Sequence, residues 1–315
     1  MTNSVQKFKF SGHETFPCRY AWLPKAVMAI LKSPRILSDD EDAMVELGVG
    51  KNMVRAIRFW ATAADVAVNR GSDGWETTPF GAALLGPDGL DPYLEDSQTL
   101  WLLHWKLSTQ FDEPLFAWDY LLNHWHDPEF TRSSALLAFE KEAKRQDRKL
   151  SRTTLSHHLD TFIHTYVPTT GTKPSVMEEG LDCPLVEINL ILRVGDRMPD
   201  AAGSRREPVY AFRRGDKSEV SPHLFAYCCA DFAVRKHPED TTVSFRELAI
   251  GNGSPGQVFK LPEADVRARL ERIHADTQGR IAFEESADIQ RMSRLHDLRP
   301  IDLLAPIYRK DFAYA

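Results

Sequence analysis

The sequence predicts a mainly α-helical α+β protein with an N-terminal winged helix-turn-helix, a helical middle region and a C-terminal winged-helix-like domain. Its 315 residues are 43% hydrophobic and 10% aromatic, which is enough core material for two or three compact units. Apolar residues recur mainly at helical spacing, and in two places such a helix is followed by short strand-like runs. We expect the three units to span residues 1–90, 91–168 and 169–315.

Residues 38–60 predict two short helices joined by a turn. Ser38 and Glu41 have the spacing of a capping box, so the first helix should start directly after Ser38. Gly48 and Gly50 allow the backbone angles that a sharp turn between two helices needs. The segment therefore has the organisation of a helix-turn-helix.

The second of these helices should present a basic face. Lys51, Arg55 and Arg58 recur at i, i+4 and i+7, so they share one side of a helix. A recognition helix presents such side chains to phosphates and base edges, so we assign DNA binding to Lys51, Asn52, Arg55 and Arg58. The turn signal at residues 73–74 predicts a following β-hairpin, which would be the wing. The alternative is an ordinary helical hairpin with a solvated basic face.

Charge and composition restrict the class of protein. A net charge of −6 argues against indiscriminate coating of nucleic acid, so any DNA contacts should be local patches. The sequence has no apolar run of about eighteen residues and no signal-peptide pattern, so we expect a cytoplasmic protein without a membrane partner. The four cysteines lack metal-ligand spacing, so we expect reduced, buried thiols.

The opening segment is dense in ionisable and aromatic side chains. His13 and Glu14 are adjacent, Arg19 follows closely, and the aromatic neighbours could exclude water from them. Burial and a charged neighbour can shift pKa values toward neutrality, so His13 and Glu14 are candidates for a catalytic proton-transfer pair. The structural alternative is that they cap a helix near Phe16 and hold the N-terminal arm on the domain.

Four segments together resemble one bacterial family. They are Phe-Ser-Gly-His-Glu-Thr-Phe at residues 10–16, Leu-Gly-Val-Gly-Lys-Asn-Met at 47–53, Leu-Asp-Pro-Tyr-Leu-Glu-Asp-Ser-Gln-Thr-Leu-Trp-Leu-Leu-His at 90–104 and Leu-Asp-Cys-Pro-Leu-Val-Glu at 181–187. The family was long catalogued only as a domain of unknown function. Its members tend to be encoded beside sulfur-transfer proteins that resemble PAPS reductases, in antiphage DNA phosphorothioation systems.

The resemblance implies a function and partners. The chain is similar to the B component of Ssp-type systems, a DNA nickase involved in single-strand phosphorothioation. A member of this family would act on double-stranded DNA together with the sulfur-transfer and ATPase proteins of the same system. The resemblance does not by itself supply a set of catalytic residues.

Acidic residues are the candidates for metal-dependent strand cleavage. Asp91, Glu95 and Asp96 form a carboxylate cluster, and such a cluster can hold Mg²⁺ or Mn²⁺ and place a water against a phosphodiester. The alternative is that these acids favour the start of a helix, with Asp91 as its cap before a first-turn proline. Asp182 and Glu187 resemble the acid pair of metal-dependent nucleases, although Asn189 stands where those enzymes have lysine.

The most basic segment lies between residues 140 and 152. It contains Lys144, Arg145, Arg148 and Lys149, which could follow a DNA backbone or could be a solvated helix or linker. Upstream, His124, His126 and Asp127 are a weak ligand group, because side chains two residues apart do not share a helix face.

The C-terminal third predicts strands and then a second winged-helix pattern. Residues 183–193 and 208–214 read as strands after a linker at 168–180. Ser244 and Glu247 form a capping box, and a later helix beginning at Pro262 is followed by two strand-like runs. Winged helices serve DNA or protein contacts and often act as dimers, so a homodimer is expected.

The sequence hypothesis is therefore a DNA-binding, strand-nicking component of a phosphorothioate modification system. The alternative is a noncatalytic DNA-binding adaptor or regulator that recruits the sulfur-transfer or ATPase partners. The absence of a recognised nuclease motif favours the adaptor, whereas the family resemblance favours the nickase.

Overall fold

A computed structural model describes residues 7–146, 149–168, 183–198 and 206–308. Within these residues, helices predominate and are interspersed with small antiparallel sheets. The predicted α+β class is thus confirmed. Two of the candidate residues, Arg148 and Asp182, lie outside the described residues.

The N-terminal part contains the predicted helix, turn, helix and hairpin in that order. Its elements are α1 (Trp22–Lys32), α2 (Asp40–Leu47), α3 (Lys51–Ala63), β1 (Ala67–Asn69), β2 (Trp75–Thr77) and α4 (Pro79–Leu85). Gly48 ends α2 in the left-handed conformation, and β1 pairs antiparallel with β2. The predicted Ser38 cap is wrong, because the Asp39 carboxylate accepts the amides of Glu41 and Asp42 instead.

The first helix of the middle part begins later than the sequence predicted. Its elements are α5 (Ser97–Ser108), α6 (Phe116–Asp119), a π-helical turn (Tyr120–His124), β3 (Glu129–Thr131), α7 (Arg132–Arg145) and α8 (Arg152–Tyr166). The predicted start at Asp91 is wrong, because Leu94 has a positive φ of 60° and Asp96 caps α5 through the amide of Gln98. The strand β3 was also missed, because its three residues give too short a pattern to read.

The next segment forms a sheet with β3. After a 3₁₀ turn (Pro184–Val186) come β4 (Ile191–Arg197) and β5 (Glu207–Phe212), and the antiparallel order is β3-β5-β4. The predicted strand from residue 183 is wrong before Ile191, because Asn189 has a φ of 49° and interrupts the extended backbone.

The C-terminal part alternates helices with short strands. Its elements are α9 (Pro222–Lys236), β6 (Thr242–Ser244), α10 (Phe245–Ile250), α11 (Pro255–Val258), α12 (Glu263–Asp276), β7 (Ile281–Glu285), β8 (Gln290–Arg294) and α13 (Leu304–Ile307). The capping box of Ser244 and Glu247 is confirmed, and β6-β8-β7 form an antiparallel sheet next to α12.

Buried residues from all three predicted units belong to one hydrophobic cluster. Helix α5 of the middle part is enclosed by this cluster. It has buried residues on every face, and His104 is one of them. The four cysteines are buried and form no disulfide, as predicted. No helix in the described ranges combines the length and apolar character needed to cross a membrane.

Candidate functional site

Helix α3 presents the predicted basic face, but acids of α2 neutralise part of it. Lys51 and Asn52 stand exposed in its first turn, and Arg55 is exposed one turn further on. Asp40 pairs with Lys51 at 3.1 Å and with Arg58 at 2.6 Å. These contacts hold the pKa of the Asp40 carboxyl below its usual value, and the hydrogen bond from Arg58 has the largest effect.

The availability of these cations therefore differs. The Arg58 guanidinium also donates to the carbonyl of Asp39 at 2.9 Å, and its side chain is only 18% exposed. Arg55 has no ion pair with any described carboxylate. Of the two arginines, Arg55 is the one free to contact a phosphate, whereas Arg58 fixes α3 against α2.

The predicted basic run continues from the end of α7. Lys144 and Lys149 are exposed, and Arg145 makes a two-pronged contact with Glu142 at 2.6 and 2.8 Å. Gln146 binds the same carboxylate at 2.8 Å. The run lies beside a cavity, because both Arg145 and Gln146 line it.

This cavity has a volume of about 460 Å³ and a mixed lining. Its aromatic side chains and its ionisable side chains are Phe8, Phe111, Phe116, Tyr120, Asp119, His124, Glu142, Arg145 and Lys236. The volume falls in the usual range for small-molecule sites, roughly 300–1,000 Å³. A pocket that combines apolar walls with a few polar groups is a candidate binding or catalytic site.

Asp119 and His124 form an ionisable pair in this cavity. His124 Nε2 lies 3.4 Å from Asp119 Oδ2, and Asn123 donates to the other carboxylate oxygen at 3.2 Å. The hydrogen bond with Asp119 raises the pKa of His124, and Glu142 adds to that effect, whereas burial and Arg145 oppose it. The pair can therefore hold a proton on His124 and give it to a reacting group.

Sequence reasoning missed this pair because of the local helix geometry. Residues five apart lie about 140° apart around an α-helix, so Asp119 and His124 would face different ways. The π-helical turn forms i→i+5 bonds, as in the Trp125 amide to Tyr120 carbonyl contact of 3.0 Å, and brings the two side chains together. No periodic sequence signal predicts such a turn.

His13 lies in the interior, with only 3% of its surface exposed. Its Nε2 is 3.2 Å from Nδ1 of His158, the two rings stack, and the Thr15 amide donates to its Nδ1 at 3.0 Å. Burial lowers the pKa of His13 to about 4, so the ring is neutral at pH 7. These contacts favour the structural role, in which His13 holds the N-terminal arm against α8, and its catalytic role remains a prediction.

Glu14 lies in a strained turn beside His13. Its φ is 48° and that of Thr15 is 65°, both in the left-handed region that most residues avoid. Gly12 is required there, because its φ is 108° and a Cβ would come within 2.8 Å of the Phe59 ring. The Glu14 carboxylate has no cationic partner within the described ranges, so it is still a candidate for chemistry.

The predicted carboxylate cluster does not converge. Asp91 is buried, and its two oxygens accept the amides of Glu95 at 2.9 Å and Asp96 at 3.0 Å. Glu95 is exposed, while Asp96 caps α5. No group of three His, Cys, Asp or Glu side chains in the described part of the chain is arranged to hold a metal ion.

The fold and surface together define an α+β protein with two local basic patches, one of which lies beside a cavity that holds an ionisable pair. The chain belongs to the family described as "Protein of unknown function (DUF4007)", which matches residues 10–308. It is similar to a solved structure described as "Magnesium ion-bound SspB crystal structure", with 29% identity and a TM-score of 0.81 over 97% of this chain and 91% of that chain.

A second solved structure, "SspB crystal structure", is similar at 28% identity and a TM-score of 0.81, over 98% of this chain and 92% of that one. The resemblance found in the sequence motifs is therefore confirmed. No curated protein matches the chain.

Proposed function

We propose that this protein is the DNA-binding, strand-nicking component of a phosphorothioate DNA modification system in antiphage defence. The observation that carries the proposal is the similarity to SspB structures over 97% and 98% of the chain, together with the sequence resemblance to that family. Both structures are above a quarter identical to this chain, so the likeness extends beyond the fold alone. The protein would act together with sulfur-transfer and ATPase proteins of the same system.

Two surfaces support DNA binding. The first is the exposed start of α3, where Lys51, Asn52 and Arg55 would contact the duplex as the recognition helix of a winged helix. The second is the basic run of Lys144 and Lys149 beside the cavity. Phosphate contacts by such side chains add affinity that falls with salt, so a chain of net charge −6 can still bind DNA through local patches.

Strand cleavage would take place at the cavity with Asp119 and His124. Water would add to the phosphorus and lose its proton to solvent, and the bond from phosphorus to the departing oxygen would break. Protonated His124 would give its proton to that oxygen, and Asp119 would orient the ring. Lys236, which lines the same cavity, would bind the phosphate oxygens.

Mg²⁺ or Mn²⁺ is the proposed cofactor of cleavage. A Mg²⁺ ion bound by one or two carboxylates, waters and substrate phosphates needs no cage of protein ligands. The described side chains do not form a three-ligand group, so such an ion would be held by one or two carboxylates together with waters and the substrate phosphate.

The second candidate function is a DNA-binding adaptor that recruits the sulfur-transfer or ATPase proteins without cutting. It is favoured by the scattered positions of Asp91 and Glu95, whose contacts are those of a structural loop. The adaptor would use the same basic surfaces, so binding alone does not separate the two functions.

Relaxation of supercoiled plasmid distinguishes the nickase from the adaptor. The purified protein is incubated with Mg²⁺, with Mn²⁺ or with EDTA, and His124→Gln is compared with Glu14→Ala, Asp91→Ala and Glu95→Ala. The exposed His296→Gln is the matched control. Open circles that form with metal, vanish with His124→Gln and persist with His296→Gln would support the nickase. DNA that is bound but never cut would support the adaptor.

A further inference from the structure

A second cavity, of about 220 Å³, lies between the end of β5 and the turn joining α11 to α12. Its lining comprises Arg214, Gly256, Gln257, Lys260, Leu261 and Pro262. The volume is below the roughly 300 Å³ at which sites for drug-sized ligands begin, so the cavity fits a small ion better than a nucleoside. None of its lining residues takes part in the basic surfaces or in the cavity of His124.

Lys260 is a buried cation without a carboxylate. Only 7% of the residue is exposed, its Nζ donates to the Leu122 carbonyl at 2.5 Å, and the ammonium lies 4.7 Å from the ring centre of Phe212. No described acid forms an ion pair with it. Its φ of 55° is unfavourable for a lysine, so the turn holds the residue in place at an energetic cost.

The other charges near Lys260 are also positive. Arg214 is exposed at the cavity and has no ion pair among the residues described. Lys217 is fully buried, with its Nζ bonded to the Arg213 carbonyl at 2.8 Å. Burial lowers the pKa of Lys260 to about 7, and the positive charges of Arg214 and Lys217 make smaller contributions in the same direction.

The acidic residues near this cavity interact with other cations. Glu219 pairs with Arg213, and Asp265 pairs with Arg269 at 2.9 Å. Asp216, Glu219 and Asp265 favour the charged form of Lys217, although burial still lowers the pKa of that lysine to about 8. No described carboxylate therefore compensates the charge of Lys260, and a bound anion would do so.

We propose that this cavity binds one tetrahedral oxyanion, either phosphate or sulfate, between the Lys260 ammonium and the Arg214 guanidinium. An ammonium and a guanidinium form short, charge-assisted hydrogen bonds to such oxygens. The anion is either free in solution or a phosphate group of a nucleic acid. The site is independent of strand cleavage, since it uses none of the residues assigned to cutting.

Calorimetric titration of the full chain with inorganic phosphate, against chloride at equal ionic strength, tests the site. We expect saturable binding that Arg214→Ala weakens roughly tenfold, the usual loss of a charged hydrogen bond. The exposed Arg246→Ala is the matched control and should bind as the parent does. Because Arg214 is exposed, its replacement should not impair folding.

The protonation of Lys260 provides a second measurement. Bound phosphate should raise the pKa of Lys260, which NMR of its side-chain nitrogen follows. The affinity for sulfate, whose own charge does not change in this pH range, should fall as the pH rises above that pKa. Lys260→Met should lose this pH dependence. A 5′-phosphorylated oligonucleotide that competes with phosphate, when its unphosphorylated form does not, would identify a nucleic-acid source, and lack of competition would identify free anion. If phosphate binds no better than chloride, or if Arg214→Ala and Arg246→Ala behave alike, the proposal is wrong.

Discussion

Replacing His13 by Asn tests whether the N-terminal arm is docked as the structure shows. Asn retains an acceptor near the position of Nδ1, which receives the Thr15 amide at 3.0 Å, but it cannot stack on His158. We expect the variant to lose roughly 1 to 3 kcal/mol of unfolding free energy at neutral pH. Its response to acid is the more specific measurement.

The acid response follows from the pKa values of the two states. His13 has a pKa of about 4 in the folded chain against a usual value of 6.5, because burial disfavours the charged ring. The unfolded chain therefore binds more protons, and the stability held above pH 6.5 is lost as the pH falls. When the pH is lowered from about 7.5 to about 5, this one group reduces the free energy of unfolding by about 2 kcal/mol. His158, whose pKa burial also lowers, should add a loss of the same sign.

Urea unfolding at the two pH values measures this difference. The His13→Asn variant should lose about 2 kcal/mol less than the parent on acidification, because it has one fewer buried ring to protonate on unfolding. His124→Gln is the control with the opposite sign, since Asp119 raises the pKa of His124. Equal losses in the parent and His13→Asn would mean that His13 is accessible to protons in the folded chain, and the docked arm would be refuted.

Further predictions concern the basic surface of α3, the cavity and the thiols. Arg55→Ala should lower the slope of log affinity against log salt by about one, and Asp40→Asn should strengthen binding, because it removes the ion-pair partner of the exposed Lys51; titrations across a salt series decide both. If the chain nicks DNA, the rate should fall above the raised pKa of His124, and Asp119→Asn should move that limb to lower pH in the plasmid assay. All four cysteines should react with a thiol reagent only after urea is added, because each is buried; fast labelling of the native chain would contradict this.

Local patterns in the sequence predicted much of the fold. The glycine turn at Gly48 and the capping box at Ser244 were both found where their residue types placed them. Predictions failed where a neighbouring residue could take the same role, as when Asp39 capped α2 in place of Ser38. They also failed where a left-handed residue such as Asn189 interrupted an apolar run. A single backbone angle of this kind leaves little trace in hydrophobic periodicity.

The candidate site was less accessible to sequence reasoning. The common face of Lys51, Arg55 and Arg58 follows from helical spacing, but the pairing of Arg58 with Asp40 does not. Asp91 was selected for its acidic neighbours, yet its oxygens are used by the backbone amides of its own loop. Acid content in a sequence therefore overestimates the number of carboxylates that are free for chemistry.

The sequence by itself determined the α+β class, the order of the two helix-turn-hairpin patterns and the family of the protein. These depend on periodicity, caps and motifs, which are properties of neighbouring residues. Only the tertiary structure decided which ionisable groups meet. It joined His13 to His158 across 145 residues, aligned Asp119 with His124 through a π-helical turn, and left Lys260 without an acid. Such contacts depend on how distant segments pack, and no local pattern specifies them.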